Sequence, residues 1–383
     1  MPNRLYFVAG EESGDVLGRE VVSRITELHP TAVIRATGVS LDADKHSVSS
    51  VDVTPLSVLG FWEGVQAFGD VKRTVRQTVE DILAFRPNVV VLIDSWGFTL
   101  RVADALQKTN KSIRLVKLVG PQVWATRPGR AKTLAGKVDH LLCIHDFEVP
   151  FYEPYGLKTT VIGHPALSRS TPGNGPAFRT KYGLDEDDSL VAIFPGSRPS
   201  EVARMGSDLL QAAVQLSEHR KSPRIALSPS RSVADEFWGL QDRWHSKFIR
   251  VDAEERFDLM AACDAALACS GTITTEIALQ GAPVVTGYKT GFLTWFVATR
   301  FLMKSEYITL LNVAAGHEVI PEYIQSAFNA GRLAAAAGDL IDDGEKRRAQ
   351  IEAQFAALTK MGLGRQPAAH IAADAILEEL TLA

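Results

Sequence analysis

The chain has 383 residues, 46% of them hydrophobic and 22% charged, and carries a formal net charge of −4. Those values describe a soluble globular protein with enough apolar residues for a sizeable core, and the length predicts two domains. They exclude generic nucleic-acid binding, which needs a broad basic surface, and no run reaches the roughly 18 apolar residues of a membrane-spanning helix.

Strand patterns at Leu5–Ala9, Ala32–Ala36, Val89–Ile93, Ile113–Leu118, His140–Ile144 and Thr160–Ile162 alternate with helical patterns over 15–28, 62–85, 98–109 and 128–136. The early first strand predicts that no signal peptide is present. Alternation of this kind predicts a parallel sheet with helices on both faces. Gly163 to Pro176 is rich in Pro, Gly and Ser and reads as a linker. Strand patterns resume at Leu190–Phe194, Arg224–Leu227, Phe248–Val251, Ala265–Ala268 and Pro283–Val285. From Tyr323 onward the chain reads as alanine-rich helices with no further strand, and the last, around Pro367 to Leu380, is a candidate to pack back on the N-terminal half. The expected fold class is α/β: two Rossmann-like parallel-sheet domains, 1–165 and 166–365, facing across a cleft, with a terminal helix at 366–383. Such folds bind ligands at the carboxyl ends of their strands. Cys143, Cys263 and Cys269 lie in apolar runs without metal-ligand spacing, and read as small buried hydrophobes of a reducing compartment.

Several strand ends carry chemistry. Val8 to Gly18 reads VAGEESGDVLG, a turn that resembles a phosphate loop but lacks the Walker lysine and the G-x-G-x-x-G spacing. Its acids Glu11, Glu12 and Asp15 suit hydroxyl-rich ligand groups, while Ser13 or Asp15 could equally cap the first helix. Asp94 ends the apolar run Val91-Leu-Ile, where a carboxylate is placed to act as a general base or to serve as a strand-end cap. Val119 to Arg130 follows another strand and offers its Gly-Pro turn, Trp124 and two arginines to a phosphate or sugar. His145 to Tyr155 (HDFEVPFYEPY) reads as packing, and His164 has no obvious partner in the sequence. Asp42-Ala-Asp44 has a D-x-D form but lies in a polar turn and reads as solvated, so no metal site is expected. Charge clusters at Lys72, Arg73 and Arg76 and at Arg127, Arg130 and Lys132 suit either solvated faces or an anionic partner. Two aromatic–basic stretches, Leu59 to Arg76 and Gly291 to Lys304, have the composition of interfacial helices, although such stripes also build cores.

The most informative segments are FPGSRPSE at 194–201 and SGTITTE at 270–276, each between an apolar strand and a helix. In that setting backbone N–H groups and a helix N-terminus face an anion. Arg198 supplies a fixed cation for a pyrophosphate, and Glu276 an acceptor for ribose hydroxyls. Either loop alone is an ordinary βα turn; together they predict a nucleotide-diphosphate pocket.

These motifs, with GPQVW at 120–124, DFEVPFYEPYG at 146–156, GHP at 163–165, GYK at 287–289 and LLNVAAG at 310–316, occur in an order and spacing that resemble bacterial lipid-A-disaccharide synthase. The resemblance implies a GT-B fold and an inverting, metal-independent glycosyl transfer that needs no cofactor. It implies a UDP-linked 2,3-diacylglucosamine donor, a 2,3-diacylglucosamine 1-phosphate acceptor, and a peripheral place on the anionic cytoplasmic face of the inner membrane. Carried onto this sequence, it makes Asp94 the catalytic base. Gly196, Ser197, Arg198, Glu201, Ser270, Gly271, Thr272, Glu276 and Asn312 become the UDP side. Glu11, Ser13, Gly14, Asp15, Gln122 and Trp124 become the acceptor or sugar side. The chain departs from the family pattern after Asp94, where Ser-Trp-Gly-Phe-Thr replaces Ala-Pro-Asp-Phe-Asn, at Trp124-Ala-Thr126 in place of Trp-Ala-Trp, and at Leu310-Leu311-Asn312 in place of Leu-Pro-Asn. A relative with another acceptor, a UDP-sugar 2-epimerase-like enzyme and a non-catalytic nucleotide-sugar binder are the competing readings.

Overall fold

The computed structural model describes residues 3–53, 64–244, 248–291 and 305–382. The chain divides into two compact units, Met1–Pro165 with Gly364–Ala383, and Ala166–Leu363.

The first unit is built on strands β1 (Arg4–Val8), β2 (Val33–Thr37), β3 (Ser47–Val48), β4 (Val89–Ile93), β5 (Arg114–Leu118), β6 (His140–Cys143) and β7 (Lys158–Val161). They form one parallel sheet in the order β3-β2-β1-β4-β5-β6-β7. Side chains alternate across it with the two-residue period of a strand. Leu5 and Phe7 enter one apolar layer and Tyr6 and Val8 the other. The first layer is closed by the opening helix, Glu12–Leu28, and by the last, Ala368–Leu382. Alanines 369, 372 and 373 let that last helix approach closely, and its fully buried Glu379 is neutralised where it lands. The Glu379 carboxylate accepts from Arg114 Nη2 at 2.6 Å and Lys158 Nζ at 2.8 Å, with His140 Nδ1 at 3.0 Å. A buried carboxylate survives only with such partners.

The second unit repeats the plan with β8 (Leu190–Phe194), β9 (Arg224–Leu227), β10 (Ile249–Arg250), β11 (Ala265–Cys269), β12 (Val284–Tyr288) and β13 (Glu322–Ile324). Its parallel order is β10-β9-β8-β11-β12-β13. Val191 and Ile193 face one layer, Leu190, Ala192 and Phe194 the other.

The long strands lie within two residues of their sequence-predicted ends except β12, which runs three residues past the predicted Val285 to Tyr288, whereas β3 and β13 have no counterpart in the prediction. They are edge strands of two and three residues without a buried run, and their pairing comes from the neighbouring strand. The Gly163–Pro176 segment is also more ordered than a plain linker. It contains a helical turn, Ala166–Arg169, and its end is tied down: Gly173 N–H donates to Gln280 Oε1 at 2.8 Å and Asn174 N–H to Asp258 Oδ1 at 2.6 Å. Of the two aromatic–basic stretches, Phe61 and Trp62, the side chains of Val65 and Phe68, and Phe292, Trp295, Phe296, Arg300, Phe301, Met303 and Lys304 lie outside the described residues.

Candidate active site

In both sheets the strand order reverses once, between β1 and β4 in the first unit and between β8 and β11 in the second. Loops leaving such a switch point diverge and open a crevice at the carboxyl ends of the strands. Four of the motif-bearing segments, those of Glu11, Asp94, Arg198 and Ser270, leave from these four strands.

In the second unit the crevice is a pocket of about 680 Å³. Gly196, Ser197, Arg198 and Glu201 line it from the loop after β8, and Ser270, Gly271, Thr272 and Glu276 from the loop after β11. Glu201 organises the first loop rather than facing the cavity as a free ligand. Its buried carboxylate accepts from Ser197 N–H at 3.0 Å and Arg198 N–H at 3.3 Å, and meets Arg198 Nη1 at 3.2 Å. The Ser197 amide, expected with that of Gly196 to cradle a diphosphate, is therefore committed to Glu201 together with the Arg198 amide, and the Arg198 guanidinium is 73% exposed. Gly196 has φ of +104°, and a Cβ there would meet Glu201 Oε2 at 2.5 Å, so the loop requires glycine.

Sequence reasoning missed the pocket's third wall. Ser228, Ser230 and Arg231 follow β9, and Glu254 and Arg256 precede and open the helix Arg256–Ala262. The Ser228 hydroxyl is buried with no hydrogen-bond partner among the described residues. Arg231 pairs with Glu254, and Arg256 Nε stands 3.5 Å from Glu276 Oε2. Glu276 thus shares its carboxylate with a cation the sequence reading had not assigned. The signal was present: Ser228-Pro-Ser-Arg231 repeats the strand, small-polar loop, arginine pattern of the loop after β8. Cys269 closes the floor, donating through Sγ to Pro195 O at 3.0 Å, and burial pushes its thiol up.

Asn312 is not in this pocket. It is fully buried at the start of the Leu310–Ala315 helix, where Nδ2 donates to Ile320 O and Glu322 Oε1 and Oδ1 accepts from the Val319 and Ile320 amides. Every hydrogen-bonding position of its amide is met by Val319, Ile320 and Glu322.

In the first unit the switch point brings the loop after β1 against the turn after β4. Ser95 Oγ donates to Glu11 Oε1 at 3.3 Å, and a Cβ on Gly10 would come within 2.6 Å of that hydroxyl. Asp94 and Ser95 both adopt left-handed backbone, with φ of +40° and +46°, and Val119 at the end of β5 does so at +66°. Consecutive left-handed residues other than glycine cost on the order of 1–3 kcal/mol each. Two groups hold the turn from beneath: Thr99 Oγ1 donates to Asp94 O at 2.6 Å, and Lys117 Nζ donates to the same oxygen.

The neighbouring acids take other roles. The first helix starts at Glu12 with Glu11 as its uncapped N-cap, so Ser13 and Asp15 lie inside it and do not cap it. Gly14 packs towards Ala9 and Ile93. Asp15 accepts from Ser40 N–H at 2.6 Å and pairs with Arg19 at 3.4 Å. The Glu12 side chain lies outside the described residues. Asp42 closes its own turn, accepting from Asp44 N–H at 3.1 Å. Gln122 is exposed, and the Trp124 ring meets Phe147 edge-on at 5.4 Å. Phe147 in turn stacks on His145 at 4.7 Å, and His145 on His164 at 5.6 Å. Burial, reinforced by His164, pushes His145 down to about 3. Glu148 beneath accepts from the Ile144 and His145 amides, and burial raises its carboxyl to about 7.

A family model described as lipid-A-disaccharide synthetase matches residues 5–376. The chain is 35% identical to the lipid-A-disaccharide synthase of Paramagnetospirillum magneticum, over 98% of this chain and 97% of that one. It is 33% identical to that of Geobacter sulfurreducens, over 99% and 97%. Among solved structures it is similar to a UDP-GlcNAc 2-epimerase from Neisseria meningitidis bound to UDP-GlcNAc, with TM-score 0.58, 13% identity, and coverage of 99% and 100%. A trehalose-6-phosphate protein from E. coli bound with UDP-2-fluoro glucose gives TM-score 0.60 at 10% identity, covering 100% and 99%. At such identities the likeness shows the fold alone: two Rossmann-like units of GT-B type.

Proposed function

The chain belongs to the lipid-A-disaccharide synthase family, and from that premise we propose that it transfers 2,3-diacylglucosamine from its UDP derivative to 2,3-diacylglucosamine 1-phosphate. The observation that carries the site assignment is the pocket of about 680 Å³ in which both nucleotide-type loops meet three arginines, Arg198, Arg231 and Arg256. A cavity of that size and chemistry suits a nucleoside diphosphate.

In the proposed step the acceptor 6-hydroxyl gives its proton to Asp94 as its oxygen attacks the sugar's anomeric carbon. The new C1–O6 bond forms as the C1–O bond to the diphosphate breaks, and the electron pair leaves with UDP, inverting the centre to the β-1,6 linkage. The developing charge on UDP is stabilised by Arg198 and Arg256 and by the N-terminus of the Thr272–Leu279 helix. Glu201 and Glu276 orient those guanidiniums, at 3.2 and 3.5 Å. Glu11, tied to Ser95, and the Trp124–Phe147 face are proposed to contact the sugars.

Among the described residues no helix is long and apolar enough to cross a membrane. Acylated substrates place the reaction at a bilayer surface, and we assign the attraction to anionic lipid to the exposed Lys72, Arg73 and Arg76 of the Gly64–Phe85 helix. The deciding experiment measures UDP release from the diacylated donor with and without the 1-phosphate acceptor. Acceptor-dependent release with one disaccharide per UDP is expected. UDP binding without that release, or conversion of UDP-GlcNAc with no acceptor, would overturn the reading.

A further inference from the structure

One charged group near the first unit's switch point has no part in the step above. Lys117 is the fourth residue of β5, 3% exposed, and lies opposite Leu92 of β4. By strand alternation it shares a face with Leu115, whose layer is apolar. A lysine ammonium is costly in such a place unless it is matched by acceptors. Its acceptors are specific: Nζ donates to the Asp94 carbonyl oxygen and to Thr99 Oγ1 at 2.8 Å. The charged groups that face it are the Asp94 carboxylate at the end of β4 and Glu11 before the first helix.

The Asp94 carbonyl is the group that a left-handed residue must turn away from its extended course. With φ positive at both Asp94 and Ser95, that oxygen is turned to Lys117 Nζ and Thr99 Oγ1. Thr99 Oγ1 reaches the same oxygen at 2.6 Å and the Ser95 carbonyl at 3.1 Å. Lysine and threonine together therefore hold the peptide in its strained orientation. A charged donor does this more strongly than a neutral one.

We propose that Lys117 is a positioning residue of the transfer reaction, its buried ammonium fixing the left-handed Asp94–Ser95 turn so that the Asp94 carboxylate and the Ser95–Glu11 pair meet the acceptor in one geometry. The inference rests on the reading of Asp94 as the base. It also links catalysis to a proton outside the reacting groups. Burial pushes Lys117 down to about 7, against the opposing attraction of Asp94 and Glu11. Its positive charge is present below that pH and lost above it, so the hold on the Asp94 carbonyl weakens as pH rises through the neutral range.

The test is Lys117→Met, which keeps length and removes both donors and charge. Removing one partner leaves the Asp94 carbonyl and Thr99 hydroxyl short of a donor, so a modest fall in melting temperature is expected, with the second unit's UDP affinity as the control for an intact fold. Misplacing a catalytic group by about 1 Å costs up to about 100-fold, so kcat for acceptor-dependent UDP release is expected to fall about 10- to 100-fold. KM for the donor and the affinity for UDP, set in the other unit, stay within about twofold. The parent's decline in kcat near neutral pH disappears in the variant. Thr99→Val, which removes the second donor to the same oxygen and one of the two acceptors of the ammonium, gives a smaller loss of kcat with the same unchanged UDP affinity.

A variant with parent kcat, or with the parent's pH profile at every point, overturns the proposal. So does a loss of kcat that tracks a fall in melting temperature and in UDP binding in both substitutions, because that pattern belongs to general destabilisation. The parent protein separates this inference from the one beneath it. If the parent turns over and Asp94→Asn does not, failure at Lys117 removes only the positioning role. If the parent shows no acceptor-dependent release, both readings fall.

Discussion

The two units use one address for different purposes. Each opens its sheet at a single reversal of strand order, β1/β4 in the first and β8/β11 in the second. In the second unit the address holds a formed pocket whose loops are relaxed by glycine at Gly196 and whose cations are each met by a carboxylate. In the first it holds strain, with Asp94 and Ser95 left-handed and a lysine buried beneath them. A binding site for a charged leaving group works best when its dipoles and cations are in place beforehand. A base that must meet one hydroxyl works best when its backbone is over-determined, even at a local energetic cost. The contrast suggests that affinity is set in the second unit and rate in the first.

Asp94→Asn gives the most forceful test of that division. Removing the proposed base should lower kcat by about 10²–10⁴-fold, the usual contribution of general-base catalysis, while calorimetric titration with UDP gives parent affinity. If UDP affinity falls with kcat, the division of labour is wrong.

A paired substitution within the second unit sharpens the same contrast. Arg256→Ala removes a charge-assisted contact worth about 1.5–3 kcal/mol and should weaken UDP binding about tenfold or more with little change in unfolding. Asn312→Ala should do the reverse. It strips partners from the part-buried Val319 amide and the buried Ile320 amide and carbonyl, at about 1–3 kcal/mol for each buried group left unsatisfied, and lowers the melting temperature without altering UDP affinity in the folded protein. Loss of UDP affinity in Asn312→Ala at temperatures where the variant is folded would return that residue to the donor set.

Legibility in the sequence follows the same line. The second unit's loops were readable because contiguous residues make the chemistry: Gly196 to Arg198 and Ser270 to Thr272 each carry turn, small polar group and helix start in one stretch. The long strands were readable from their apolar runs, and β3 and β13 were not, since a short edge strand is defined by its neighbour's pairing. The third pocket wall was missed because Ser228–Arg231 and Glu254–Arg256 come from two separate segments that only the sheet order assembles. Lys117 was the least legible of all. A lysine within Leu115-Val-Lys-Leu118 reads as one polar position in a strand, and only the fold reveals that the position is buried and that its acceptors lie on β4's end and the Trp96–Thr109 helix. Asn312 shows the opposite case: a motif position expected on the UDP side has its whole amide engaged within its own loop, which a sequence does not display.

The smallest expected effect concerns the aromatic face beside the first unit's turn. His145 is neutral in the fold, pushed down to about 3 by burial and by His164, whereas its ordinary value is 6.5. A folded-state value below the unfolded one means that its stabilising contribution is complete above 6.5 and is lost as pH falls towards 3. Glu148 opposes it, since its carboxyl is raised to about 7 by burial, so its contribution is present below 4.5 and lost as pH rises through 7. The two cancel in part in the parent protein, and a single pH–stability curve would hide both. His145→Phe separates them, because phenylalanine keeps the stack on Phe147 while removing the titrating ring. Between pH 6.5 and 5.5 the parent should lose about 1 kcal/mol relative to the variant in denaturant unfolding, while UDP affinity keeps the same pH dependence in both proteins. A constant stability difference across that window would mean that His145 charges without penalty, and the first unit's strand ends would then be wetter than their burial implies.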